Sequence, residues 1–188
     1  MAAKHAVCPW WIGNLLASPI RKLLQDPARI LGPYVRAGMI VLEPGPGMGF
    51  FTLEIARLVG PSGRVIAPDV QPPMIEGLKR RARRAGLFER IDARVVSDDS
   101  MALDDLERAV DFTFAFAVVH ELPSATHFFA EAAAAMKSGA NLLLAEPAGH
   151  VREAEFAKQL AAAAENGMRV IDHPSIGRRW TSVLLQRS

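Results

Sequence analysis

The sequence predicts a doubly wound α/β domain, a seven-stranded sheet preceded by two N-terminal helices. Two observations carry this. From residue 39 onward, short apolar runs alternate with amphipathic helical runs, and strands that are apolar along their whole length need cover on both faces, as in a parallel sheet. At the C-terminal end the alternation stops. Residues 168–173 and 179–186 are two strand-like runs with only "PSIGR" between them, a spacing that fits an antiparallel pair.

In order along the chain, the first segment places Trp11, Leu15, Leu16, Ile20, Leu23 and Leu24 at helical spacing. "QDPARILGPYV" then offers Asp26 as an N-cap with Pro27 at the first helical position, and so a second short helix. Five strands are expected at residues 39–43, 63–69, 91–97, 110–116 and 140–146. Helical runs lie between them near 49–59, 73–86, 102–108 and 124–137, and a further one near 151–166 follows the fifth strand. No internal repeat or low-complexity linker divides the 188 residues, and one core in a chain of this length buries about two-thirds of the unfolded surface.

Half of the residues are apolar and 22% are charged, a globular balance. Twenty-two Lys and Arg face 20 Asp and Glu, leaving a net charge of only +2. The cluster "LKRRARRAG" (78–86) reads as the solvated face of a helix, and without interleaved aromatics it does not point to nucleic acid. Cys8 is the only cysteine, which rules out an intrachain disulfide and a Cys-rich metal site. A cytoplasmic location is expected. The stretch "AVCPWWIGNLLAS" is broken by Pro9, Gly13 and Asn14 and meets Pro19 where a signal cleavage site would fall. No apolar run approaches a membrane span of about 20 residues.

"VLEPGPGMGFFTLE" joins the first strand to a helix through Gly45, Gly47 and Gly49. In an open parallel sheet, ligands sit beyond the carboxyl ends of the strands, where this loop lies. A dinucleotide fingerprint would put its third glycine at position 50, which is Phe50, and a P-loop would need Gly-Lys-Ser/Thr, which is missing here. The loop is E-x-G-x-G-x-G, opening on Glu43. A carboxylate there repels phosphate and favours a cationic ligand. Asp69, twenty residues after Gly49, ends the second strand and can accept ribose hydroxyls. A nucleoside with a cationic amino-acid tail satisfies both acids, and S-adenosylmethionine is such a molecule.

The run "VLEPGPGMGFFTLEIARLVGPSGRVIAPDVQPPM", with "RVVSDDSM", "DFTFAFAVVHELP" and "MKSGANLLLAEPAGHV", resembles the class I S-adenosylmethionine-dependent methyltransferases over residues 38–187. It is similar in particular to small prokaryotic members that open with a segment like "CPWW" (8–11). The resemblance implies one domain over 1–188: a helical cap over 1–37 and a Rossmann-like core with strand order 3-2-1-4-5-7-6, the last strand antiparallel. It further implies that Glu43, Gly45, Pro46, Gly47 and Gly49 hold the methionine part. Asp69 would take the ribose hydroxyls, with Val70 beside it. Met74 would pack on the adenine, and Asp98 would accept from the adenine amino group, with Asp99 as neighbour. Phe116 and Ala117 would line the sulfonium end. Two features depart from the family: the first acid is Glu rather than the commoner Asp, and Pro68 precedes Asp69 in a strand expected to be central.

Methyl transfer from a sulfonium needs alignment above all, and a base only where the nucleophile carries a proton. His120 and His150, past the fourth and fifth strands, are the candidates. His120 can equally pack or cap the helix beginning near Pro123; Glu121 can orient it or face solvent. Glu146 reads as a structural or pocket-lining residue. Trp10 and Trp11 read as core anchors or as a lid over the cofactor, since aromatic faces attract a sulfonium. Among methyltransferases, the Asn/Asp-Pro-Pro-Tyr/Phe signature for DNA amines is missing after the fourth strand. A small-molecule acceptor without a metal is therefore expected. The alternatives are a catalytically silent S-adenosylmethionine-binding protein and an NAD-dependent oxidoreductase. The sequence sets neither the acceptor atom nor the oligomeric state.

Overall fold

A computed structural model describes residues 25–188, so the helix expected over residues 11–24 and the "CPWW" segment lie outside the described residues. The chain begins with α1 (Pro27–Leu31), capped by the Asp26 side chain, which accepts from the Ala28 N–H at 3.0 Å. It continues through β1 (Ile40–Leu42), α2 (Thr52–Leu58), β2 (Arg64–Asp69), α3 (Pro72–Arg84), β3 (Ile91–Val95) and β4 (Val110–Phe116). The second half comprises α4 (Ala125–Ala135), β5 (Met136–Pro147), α5 (Glu153–Glu165), β6 (Met168–Asp172) and β7 (Trp180–Arg187).

The sheet order is β3-β2-β1-β4-β5-β7-β6. Every pairing from β3 to β5 is parallel, and β7 runs antiparallel to both β5 and β6. Two hydrophobic cores cover the two faces, and successive residues of one strand alternate between them. Leu42, Ile66, Ala115, Leu142 and Leu144 face the core completed by Phe128 and Phe129 of α4 and Phe156 of α5. Val41, Val65, Phe114, Phe116 and Leu143 face the core of α2 and α3, with Ile55, Ile75 and Leu78. In "VDFTFAF" the consecutive residues Phe114, Ala115 and Phe116 are all apolar for this reason, since there neither face meets water.

Three local expectations are corrected. Residues 102–108 form only a 3-10 turn, Asp104–Leu106. Left-handed residues at Ala102 (φ 51) and Arg108 (φ 50) interrupt the helix on either side, and the Arg94 guanidinium claims the Ala102 carbonyl at 2.6 Å and the Asp105 carboxylate at 2.7 Å. The fifth strand starts four residues early, at Met136, which pairs with Val110 across a register shift. Pro68 disturbs little. Its carbonyl accepts from Gly45 N–H at 2.9 Å, on the side where β1 has already ended. A strand residue's N–H and C=O point the same way, so the donor Pro lacks would also have faced the loop, and the β3 ladder is intact.

Among the described residues, no helix is long and apolar enough to cross a membrane. Phe129 is fully buried between α4 and the sheet. Phe129→Ala is expected to lower stability by about 3–5 kcal/mol in urea titration, with the sheet retained by circular dichroism.

Candidate functional site

Strand order reverses between β1 and β4, and there the described residues line a cavity of about 750 Å³ at the carboxyl ends of the strands, within the range of small-molecule sites. One wall comes from the loop after β1. Gly45, Gly47 and Gly49 all take positive φ (63°, 54° and 83°), which only glycine adopts without strain. They serve different ends. A Cβ on Gly49 would lie 2.4 Å from Leu78 Cδ1, and a Cβ on Gly45 would lie 2.8 Å from Val118 Cγ2, so these two allow packing. A Cβ on Gly47 would meet nothing within 4 Å; Gly47 lines the cavity with Gly45 and Pro46, whereas Gly49 does not.

Asp69 pins this loop. Its buried carboxylate accepts from Gly47 N–H at 3.2 Å and from Gln71 N–H at 2.8 Å. Burial raises its pKa, and the two backbone donors oppose the rise. A carboxylate has about four acceptor positions, so capacity remains toward the cavity. Glu43 is 4% exposed, and its Oε2 has no hydrogen-bond partner. Burial pushes its carboxyl up to about 8; the nearby Thr52 hydroxyl works against the shift, and the Asp69 charge adds to it. Val70, Met74, Asp98 and Asp99 line the same side. Asp98 is exposed, and Asp99 accepts from Ser97 Oγ at 2.5 Å.

The opposite wall follows β4. Phe116 ends the strand, and Ala117 after it holds φ 53, a conformation rare outside glycine, secured by its N–H to the Ala145 carbonyl at 2.8 Å. The next turn carries His120, its side chain 10% exposed. Fully buried Glu146, the penultimate residue of β5, grips it twice. Oε1 accepts from the His120 backbone N–H at 3.1 Å, and Oε2 lies 2.6 Å from Nδ1. Gln159 Nε2 donates to Oε1 from behind at 3.4 Å. Burial lowers the His120 pKa, yet the Glu146 hydrogen bond and the charges of Glu146, Glu121 and Glu155 outweigh it, so the net shift is upward. Glu146, rather than Glu121, therefore orients the imidazole. Glu121 Oε1 stands 3.9 Å from Nε2, beyond hydrogen-bond reach. Exposed His150 lies edge-on to His120 at 5.2 Å between ring centroids.

Two lining features were not read from the sequence. Trp180 packs on Phe116 at 4.1 Å between centroids; it pairs with Pro147 at the carboxyl end of β5, a register that the sequence does not display. Glu131 of α4 accepts from Ser100 Oγ at 2.7 Å and Met101 N–H at 3.0 Å, tying the loop after β3 to the helix. Among the described residues, no group of three or more His, Cys, Asp or Glu is placed to share a metal ion.

Comparison with known proteins agrees with this fold. A family model described as a methyltransferase domain matches residues 41–139, just over half of the chain. A SAM-dependent methyltransferase from Aquifex aeolicus has the same fold, with a TM-score of 0.86 at 24% identity, covering 97% of this chain and 100% of that one. A ubiquinone/menaquinone biosynthesis C-methyltransferase of Pasteurella multocida is 32% identical over 71 residues, 38% of this chain and 26% of that protein. A protein-L-isoaspartate O-methyltransferase of Methanothrix thermoacetophila is 43% identical over 51 residues, 27% of this chain and 24% of that protein. The chain thus spans about a quarter of the length of the curated relatives it matches.

Glu43 makes the stability of the fold pH-sensitive. In the unfolded chain its carboxyl ionises near 4.5, in the folded one near 8. The native state therefore binds the extra proton, and stability falls as pH rises through that window. Glu43→Gln is expected to melt progressively higher than the wild type as pH is raised from 4.5 to 8. A melting difference that stays flat across this range would show that Glu43 ionises in the fold without cost.

Proposed function

The chain belongs to the methyltransferase-domain family, with the class I fold, and we propose that it binds S-adenosylmethionine in this cavity and methylates a small-molecule acceptor. The observation that carries the reading is the bare, buried oxygen of Glu43 beside a glycine loop open at Gly47. A buried carboxylate without a partner is costly, and a cationic amino-acid group satisfies it. An open Cα at Gly47 lets ligand approach the backbone. Asp69 would accept the ribose hydroxyls with its remaining lone pairs. Val70 and Met74 would flank the adenine, Asp98 would accept from its amino group with Asp99 beside it, and Phe116 and Ala117 would face the sulfonium end, with Gly45, Pro46 and Gly49 shaping the loop.

S-adenosylmethionine supplies an already activated methyl group, so the protein's task is to align the acceptor, exclude water and receive a proton where one must leave. His120 is held for the last task. With Nδ1 directed at Glu146, the proton on that nitrogen is fixed and Nε2 is left as the basic atom, while the carboxylate supports the imidazolium that forms. His150, at the exposed side of the same ring, is the weaker candidate for a proton role. The two curated relatives carry C- and O-methyltransferase names, so they do not select the acceptor atom; a cavity of about 750 Å³ supports a small acceptor.

S-adenosylhomocysteine is expected to bind in calorimetry and NAD not to. Asp69→Ala should weaken that binding by about 1–3 kcal/mol; normal binding by this variant would place the nucleoside elsewhere.

His120→Ala should lower turnover by about 10²–10⁴ with cofactor affinity nearly unchanged. The base must be neutral, so kcat/KM should rise with pH along a limb above the ordinary imidazole value of 6.5. Glu146→Gln removes the charge that raises it and should move the limb to lower pH. A limb that stays in place would exclude His120 as the titrating group.

A further inference from the structure

Beside the residues assigned to the cofactor, Met101, Leu122, Phe128 and Trp180 give the cavity an apolar and partly aromatic lining. Trp180 continues the ring surface of Phe116 at 4.1 Å between centroids. Among the described lining residues none is a lysine or arginine. A carboxylate or phosphate on the acceptor would therefore meet no permanent cation and would be repelled by the acids. Those acids, in turn, have donors. Glu131 accepts from Ser100 Oγ and Met101 N–H and stands 3.7 Å from His127 Nε2. Asp99 accepts from Ser97 Oγ, and Asp69 from Gly47 and Gln71 N–H. Glu121 has an interaction of its own and lies 3.9 Å from His120 Nε2, beyond hydrogen-bond reach. The bare Glu43 oxygen and the exposed Asp98 face the cofactor's amino groups in the reading above. Such a lining suits an acceptor that carries no charge of either sign.

We propose that the methyl acceptor is an uncharged phenol, seated on the aromatic lining with its hydroxyl at His120 Nε2. This rests on the methyltransferase reading and names its substrate class. Glu146 holds the Nδ1 side of the ring and the His120 backbone N–H, which leaves Nε2 to accept one proton. The acidity of that proton decides which hydroxyl it is. An imidazole ordinarily ionises at 6.5, a phenolic hydroxyl at about 10, and water, a stand-in for an aliphatic hydroxyl, at about 15.7. The Glu146 hydrogen bond, with the charges of Glu146, Glu121 and Glu155, moves the imidazole upward, toward the phenol. General-base transfer works best where the two values lie close, and the phenol is the closer by far. In the reaction the O–H bond breaks, its proton passes to His120 Nε2, and the bonding pair stays on oxygen. That oxygen bonds to the methyl carbon as the carbon–sulfur bond breaks, and the pair of that bond returns to sulfur. Glu146 stabilises the imidazolium until its proton leaves to solvent. An ammonium would instead have to compete with the donors that the lining acids already hold.

The test follows the proton with 4-nitrophenol, whose phenolate absorbs visible light and whose neutral form does not. In the full chain saturated with S-adenosylhomocysteine, the bound probe is expected to ionise at least about one pH unit below the free probe, a tenfold gain in phenolate. His150 stands edge-on to the same ring, so the base is identified by substitution: His120→Gln should abolish the shift, and Glu146→Gln should reduce it. Charge selection is read separately by calorimetry near pH 7. There 4-ethylphenol is expected to bind at least about tenfold more tightly than phenethylamine or 3-phenylpropionate, since each ion leaves water without a partner. A bound nitrophenol that ionises at or above its solution value would overturn the proposal, as would equal or tighter binding of either charged probe. A shift that survives His120→Gln would overturn the assignment of the proton to His120. Failure of S-adenosylhomocysteine to bind at all is a separate result, which overturns the cofactor reading and this proposal with it.

Discussion

Buried carboxylates at strand ends, gripping the backbone of the neighbouring loop, are the constraint on which the site depends. Asp69 ends β2 and accepts from Gly47, in the loop after β1. Glu146 stands one residue before the end of β5 and accepts from the backbone of His120, in the turn after β4. The two inner strands of the reversal thus have their outgoing loops held by acids from their outer neighbours, one on either side of the crevice. A charge removed from water requires donors, and the loops' own N–H groups supply them. The same bonds that satisfy the acids fix the loops apart and keep the crevice open.

Glu43 is the exception among these acids, and the difference separates architecture from ligand binding. Asp69 and Glu146 are satisfied from within the chain, whereas one Glu43 oxygen is left bare. The fold carries a destabilising group at the place where a cation would relieve it, the usual relation between a binding site and its scaffold. The aromatic wall of Phe116 and Trp180, which lines the same cavity, is apolar and polarisable, a surface that tolerates positive charge as well as hydrocarbon.

The architecture was legible because it rests on periodicity. Runs such as "VDFTFAF" and "ANLLLAE" can only be strands covered twice, and the short "PSIGR" link gave the antiparallel end. Elements governed by single long-range bonds were not legible. The segment 102–108 has helical composition, but the Arg94 guanidinium and two left-handed residues hold it as a turn. The site divides in the same way. Glu43, the glycine loop and Asp69 were readable because all fall within one βαβ unit. Glu146 was readable only as a lining or structural residue, since its partner His120 lies 26 positions away. Trp180 was missed because it reaches the cavity through strand register. From the sequence Glu121 could orient His120 or equally face solvent, and geometry assigns the orienting part to Glu146.

The two cores on opposite faces of the sheet carry different walls of the cavity. Phe50, Phe51, Phe116 and Trp180 belong with the core of α2 and α3, whereas Met101, Val118 and Phe128 belong with that of α4 and α5. The sheet between them acts as a partition. A change that reshapes the floor beneath α4 is accommodated among its own neighbours and reaches the glycine loop only through the β-strands. Substitutions on the two sides should therefore combine nearly additively. A lineage carrying this scaffold can drift in what it recognises on one face while the other stays under unbroken selection, so a small fold with few embellishments has an evolutionary route to new partners.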